Sequence, residues 1–179
     1  MRFIIAHLIE GEAKQRHKAL TTELAEKFDI FPLHERIPPH LTLKRWWESE
    51  DVNIKDVYAV LDEFAATQPA SPYKLAGFGS FHDDVIYVDV RPSAGMNKAA
   101  QELIKALHNV PNLTFDEYDN GSDFHATVAL GALKAFEFQP IWDYLQTIEQ
   151  PDLDMRFDNI ATLKRGDDVW EVDRVWKLT

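Results

Sequence analysis

An approximate internal repeat constrains this chain more than any other feature. The pattern His-x-Thr occurs at His40-Leu41-Thr42 and again at His125-Ala126-Thr127, 85 residues apart. The elements around the two copies recur at about the same offset. In the first half, Arg2 to Ile9 reads as a strand, and Ala13, His17, Leu20, Leu24 and Phe28 follow at helical spacing. Residues His40 to Trp47 alternate as a strand, Ile54 to Ala65 carries a helical stripe, and Tyr73 to Phe81 reads as a strand again. In the second half, Val85–Val90 is a strand, Met96 to Leu107 a helix, Phe124–Leu130 a strand and Phe138 to Ile148 a helix. Met155 to Leu163 reads as one strand, and Arg165-Gly166-Asp167-Asp168 turns the chain into a last strand, Val169–Leu178. Leu113 to Tyr118 is expected as a short extra strand, followed by a turn at Asp119-Asn120-Gly121-Ser122.

Both halves therefore read β-α-β-α-β. A unit of about eighty residues occurring twice is too long and too few for a solenoid. The expected fold class is α+β, pseudo-twofold, with each half burying its helices against one face of a sheet. Residues 1–179 are expected to form a single domain of two lobes.

Side chains on a strand alternate between faces. His40 and Thr42 thus share one face, about 7 Å apart, while Leu41 and Leu43 pack beneath. His125 and Thr127 share a face in the same way, with Ala126 and Val128 opposite. If the halves face one another, two imidazoles and two hydroxyls meet across a groove. A neutral imidazole can take a proton from water and a charged one can give a proton to a leaving oxygen. Threonine hydroxyls can donate to phosphate oxygens as charge gathers on them. Chance placement of the histidines and threonines would yield well under one His-x-Thr, so two in register form a specific signal. The competing reading is two strand histidines satisfied by their neighbours.

Composition narrows the substrate. With a net charge of −11, the chain is not expected to grip long duplex nucleic acid, which demands many Lys and Arg contacts. A small nucleotide or an RNA end needs only a local patch. There is no cysteine, hence no thiol nucleophile or thiolate-held metal. Neither motif histidine has the close partner spacing of a zinc site, and no metal or other cofactor is expected. No apolar run reaches the roughly 20 residues of a membrane helix, and the start Met1 to His7 is too mixed for a signal peptide. A cytoplasmic monomer without membrane contact is expected.

At these motifs the chain resembles the 2H phosphoesterase superfamily, in particular its 2′-5′ RNA ligase-like and RNA 2′,3′-cyclic phosphodiesterase members. That family carries two His-x-Thr/Ser-x motifs with hydrophobic x. His40-Leu41-Thr42-Leu43, preceded by Pro39, fits the first, and His125-Ala126-Thr127-Val128 the second. Leu75-Ala76-Gly77-Phe78-Gly79-Ser80-Phe81 is similar to the family's central segment, and the closing hairpin to its end. The resemblance implies a bilobal fold of antiparallel-rich sheets around a central cleft. It implies metal-independent action on a 2′,3′-cyclic phosphate or related nucleotide or RNA-end phosphoester, with the histidines as acid and base. His40, Thr42, His125 and Thr127 are the candidate catalytic residues. A non-catalytic nucleotide or RNA-end binding module with the same fold is the alternative. The chain departs from the family after its second motif. Many members place a basic residue there, whereas Ala129, Leu130 and Gly131 follow here, and Lys134 stands further on.

Four further residues are candidate substrate contacts. Lys44 and Arg45 follow the first motif and could neutralise phosphate, against the plainer reading of solvated strand-end cations. Phe81 and Phe124 flank the presumed cleft strands and could stack on a base, against the plainer reading of core packing. His7 is expected to be structural. His17, His34, His82 and His108 lie outside the motifs and carry no assigned role. Asp119 and Asp123 read as turn and surface carboxylates.

Overall fold

The computed structural model describes residues 1–50 and 52–179. Its elements run β1 (Arg2–Leu8), α1 (Gly11–Phe28), a 3-10 turn at Leu33–Glu35, β2 (His40–Glu48), α2 (Ile54–Thr67), β3 (Ser71–Phe81), β4 (Val85–Pro92) and α3 (Ala94–Leu107). After a long loop follow β5 (His125–Leu130), α4 (Phe138–Thr147), β6 (Asp152–Phe157), β7 (Asn159–Arg165) and β8 (Trp170–Lys177). Two four-stranded antiparallel sheets result, ordered β2-β1-β7-β8 and β5-β4-β3-β6. The fold is the expected α+β one, with a pseudo-twofold relation that pairs β2 with β5 and β1 with β4.

Local chemistry explains the boundaries. α1 ends where Asp29 takes a left-handed conformation (φ 51°). The Asn53 side chain accepts from the Lys55 N–H, and Ser93 accepts from Met96 N–H, which caps α2 and α3. β1 is apolar along nearly its whole length because it is central in its sheet and buried on both faces. Phe3 and Ile5 enter the main core, while Ile4, Ala6 and Leu8 join a smaller cluster with Ala161 and Leu163. The main core is continuous through both lobes, drawing on all four helices and both sheets.

Two expected elements differ. Leu113 to Tyr118 is not a strand: Leu113 is buried and Phe115 packs on the core, but the backbone turns. The Asp119 carboxylate organises that loop, accepting the Asp116 N–H at 3.1 Å. The single strand expected over 155–163 is two strands, β6 and β7, lying in different sheets with Asp158 between them. Asn159 explains the break. Its side chain accepts the Leu8 N–H at 2.9 Å and donates to the Leu8 carbonyl at 3.1 Å, pinning the start of β7 to the end of β1.

β3 also leaves the half from which it comes. It pairs with β4 and β6 in the second sheet. This crossing leaves β2 and β5 as edge strands that face one another. Among the described residues, no helix is long and apolar enough to cross a membrane.

Candidate active site

β2 and β5 bring the two motifs to one cleft. Leu41, Leu43, Ala126 and Val128 are all buried beneath it, as strand alternation requires, while His40, Thr42, His125 and Thr127 are only partly buried. A cavity of about 490 Å³ is lined by Thr42, Arg45, Phe81, Tyr118, His125 and Thr127, among others. A smaller hollow of about 160 Å³ holds His17, Pro38, Pro39 and His40, and the two meet at Thr127 and Leu130. Another, apolar hollow of about 400 Å³ between α1 and the second sheet contains neither motif histidine.

The two imidazoles are anchored identically. His40 Nδ1 lies 2.8 Å from the Pro38 carbonyl, and His125 Nδ1 lies 3.2 Å from the Asp123 carbonyl. A carbonyl only accepts, so in each ring Nδ1 carries the proton and donates it. That leaves both Nε2 atoms as the nitrogens that change protonation state. Burial pushes His40 down to about 4, against the Pro38 carbonyl, with His17 and His125 lowering it further. Burial lowers His125 as well, but the Asp123 carbonyl and carboxylate oppose it. The two rings therefore hold unequal affinities for a proton.

Strict alternation along β2 would put Lys44 on the cleft face with His40 and Thr42, and turn Arg45 inward. The register does the reverse. Ala6 pairs with Thr42 and Ile5 with Lys44, so Leu43 is an extra residue, a β-bulge. Leu43 and Lys44 are consequently both buried, and Arg45 emerges into the cleft. Lys44, expected as a phosphate contact, is 1% exposed and pairs with Asp119 at 2.8 Å. The other Asp119 oxygen accepts the Arg45 N–H at 2.7 Å. Asp119 is thus no surface carboxylate but the clamp between the loop before β5 and the strand of the first motif. Arg45 is held by Asp116 at 2.8 Å and stacks over Tyr118 at 4.9 Å.

Phe81 does line the cleft, 42% exposed, with its ring edge-on to His125 at 4.9 Å. Tyr87 packs against both rings, 4.6 Å from Phe81 and 5.3 Å from His125. Gly79 permits it, because a Cβ there would sit 2.5 Å from the Tyr87 ring. Phe124 is buried in the core instead of in the cleft. It precedes His125 by one residue and so faces the opposite way. Lys134 pairs with Asp29 and does not line the cleft. His7 is a buried strut, with Nδ1 donating to the Asn159 carbonyl at 3.0 Å and Nε2 accepting from the Tyr73 hydroxyl at 3.1 Å. Among the described residues, no cluster of three or more His, Cys, Asp or Glu side chains could hold a metal ion.

Sequence reasoning missed Tyr87, Tyr118, Asp123 and His17 as neighbours of the site. One signal was present: His17 occupies the apolar stripe of α1, and a histidine on a buried helix face needs a partner. That partner is the Thr127 carbonyl, 2.8 Å away.

Comparison with known proteins matches residues 10–169 to the model of the 2′-5′ RNA ligase superfamily. A relative from Geobacillus sp. (strain WCH70), named provisionally as a phosphoesterase, is 39% identical over 75 residues. That match spans 41% of this chain and 41% of the relative, less than half the length of either. A second, from Geobacillus kaustophilus, is 27% identical over 64% of this chain and 71% of its own length, and carries the same provisional name. Among solved structures, one described as a phosphoesterase superimposes with TM-score 0.61 at 17% identity, covering 99% of this chain and 98% of the other. LigT of E. coli in complex with 3′-AMP gives TM-score 0.59 at 16% identity, covering 99% and 97%. At these identities the superpositions establish a shared fold.

Proposed function

Because the chain belongs to the 2′-5′ RNA ligase superfamily, we propose that it is a metal-independent two-histidine phosphodiesterase. Its substrate is a 2′,3′-cyclic phosphate or a related nucleotide or RNA-end phosphoester. The observation that carries this reading is the pair of equivalent strands, each offering an Nε2 and a threonine hydroxyl to one cleft. Small-nucleotide specificity is supported by the size of the cavity, about 490 Å³, and by the 3′-AMP, ATP and NADP+ complexes of E. coli LigT. The net charge of −11 favours a short ligand over a long polyanion.

The proposed reaction assigns the two rings by their proton affinity. His40, the harder to protonate, is neutral and takes a proton from water through Nε2. The oxygen attacks phosphorus, and the bond to one ribose oxygen breaks. His125, whose charged form Asp123 favours, gives that oxygen its proton. Solvent exchange then resets both rings. The Thr42 and Thr127 hydroxyls donate to non-bridging oxygens, and Arg45 supplies the positive charge on one side. Phe81, supported by Tyr87, offers a ring surface for the base.

The deciding experiment is hydrolysis of the four nucleoside 2′,3′-cyclic phosphates in EDTA, comparing the parent protein with His40→Ala and His125→Ala. Turnover by the parent that is lost in both variants is expected. Saturable binding without product would instead identify a nucleotide-binding module, and full activity in both variants would refute the histidine roles.

A further inference from the structure

His17 lies outside both motifs, on the helix that follows β1, yet its ring reaches the centre of the second motif. Its Nε2 is 2.8 Å from the Thr127 carbonyl, and its Nδ1 is buried with no hydrogen-bond partner. Because a carbonyl only accepts, Nε2 carries a proton and donates it. A second proton on Nδ1 would place a charge beside a buried atom that has no hydrogen-bond partner. Burial accordingly holds the ring below its ordinary 6.5. The ring is thus a hydrogen-bond donor to Thr127 through Nε2.

What it donates to matters. β5 has a sheet neighbour on one side only, so its position across the cleft depends on contacts from the other lobe. α1 leaves β1, which pairs directly with β2 and places Leu8 opposite His40. His17 also lines the hollow that contains His40 and Thr127. One bond therefore ties the scaffold of the first histidine to the backbone of the second motif. The Asp119 carboxylate makes the matching tie from the other direction, from the second half's loop to β2.

We propose that His17 is a positioning residue of the catalytic site: it holds Thr127, and with it His125, at the separation from His40 that proton transfer across one phosphate demands. The proposal rests on the two-histidine reading above. Misplacing a reacting group by an ångström costs rate far more than it costs binding.

The test compares His17→Leu with His17→Gln, on 2′,3′-cyclic AMP, with thermal midpoints measured for both. The terminal amide of glutamine can donate from where Nε2 lies, and leucine cannot. His17→Leu should lower kcat/KM about tenfold or more, while His17→Gln keeps most of it at a similar midpoint. If the leucine variant does not fold, His17→Asn, polar but one carbon too short to reach, takes its place. Near-parental turnover without the donor would overturn the proposal. Glutamine as defective as leucine would overturn it too, since simple packing predicts that result. His40→Ala in the same assay separates the two readings. If it is inactive while His17→Leu is fully active, only the role of His17 fails. If it is fully active, the two-histidine reading itself fails, and this proposal with it.

Discussion

After the motif threonine, β2 and β5 do the same thing with their backbones and opposite things with their charges. In β2 the bulge follows Thr42, so Leu43 and Lys44 are both buried and Arg45 turns to the cleft. In β5, Tyr87 pairs with Thr127 and Ile86 with Ala129, leaving Val128 as the extra residue. Val128 and Ala129 are both buried, and Leu130 turns to the cleft. Position for position, the repeat conserves the bend and not the chemistry. Arg45 brings a cation where Leu130 brings a hydrocarbon. The buried Lys44 needs Asp119 to neutralise it, where Ala129 needs nothing. Under the proposed reaction, a phosphate between these strands would be polarised from one side, although the two histidines are anchored in matching ways.

The comparison can be broken most directly at the histidines. His40→Ala and His125→Ala are each expected to lower kcat by about 10²–10⁴-fold with the fold intact, read by steady-state kinetics and circular dichroism. A large loss in one lobe alone would show that the strands are not a matched pair.

The next effect is on stability. Lys44→Met strands the Asp119 carboxylate in the core and should cost about 3–5 kcal/mol in denaturant unfolding. Lys44→Met with Asp119→Leu should recover much of that loss, because the isosteric apolar pair has no charge to desolvate. Failure to recover would mean that the loop needs the carboxylate for its backbone bonds to Arg45 and Asp116 more than for its charge.

Third come the hydroxyls. Thr42→Val and Thr127→Val keep shape and remove the donor, and each should reduce kcat about a hundredfold. Equal losses would confirm that both lobes hold the phosphate. A much larger loss for Thr42→Val would assign the transition-state contact to the lobe that also carries Arg45.

The pH dependence sharpens the difference between the rings. His40 must be neutral, so kcat/KM should rise with pH through about 4. His125 must be charged, and its affinity for a proton lies below the ordinary 6.5, so activity should fall again before that value is passed. The expected profile for free enzyme is a bell with its maximum on the acid side of 6.5. An optimum well above neutrality would mean that these two histidines are not the titrating acid and base.

The smallest effect tests the charge asymmetry itself. Arg45→Leu should make the lobes alike and raise KM several-fold, by roughly 1 kcal/mol for a partly exposed cation already shared with Asp116. Leu130→Arg should lower KM by a similar factor. If neither changes KM, the cation does not touch the substrate.

The sequence by itself determined the repeat, the two-layer α+β class and the sharing of a face by His40 with Thr42 and by His125 with Thr127. Those features are local: a period of two residues or of 3.6 is written in the order of apolar side chains. It also held an unread hint, the histidine in the apolar stripe of α1. Only the tertiary structure decided which sheet each strand joins, that 155–163 breaks at Asp158, and that Lys44 faces inward while Arg45 faces the cleft. Nothing in the run Leu43-Lys44-Arg45 marks the bulge, because it is set by how β2 registers against β1 and by the Asp119 carboxylate seventy-five residues further along. A one-residue slip exchanges the two faces of a strand, so which cation faces the cleft is a property of pairing and burial, not of order along the chain.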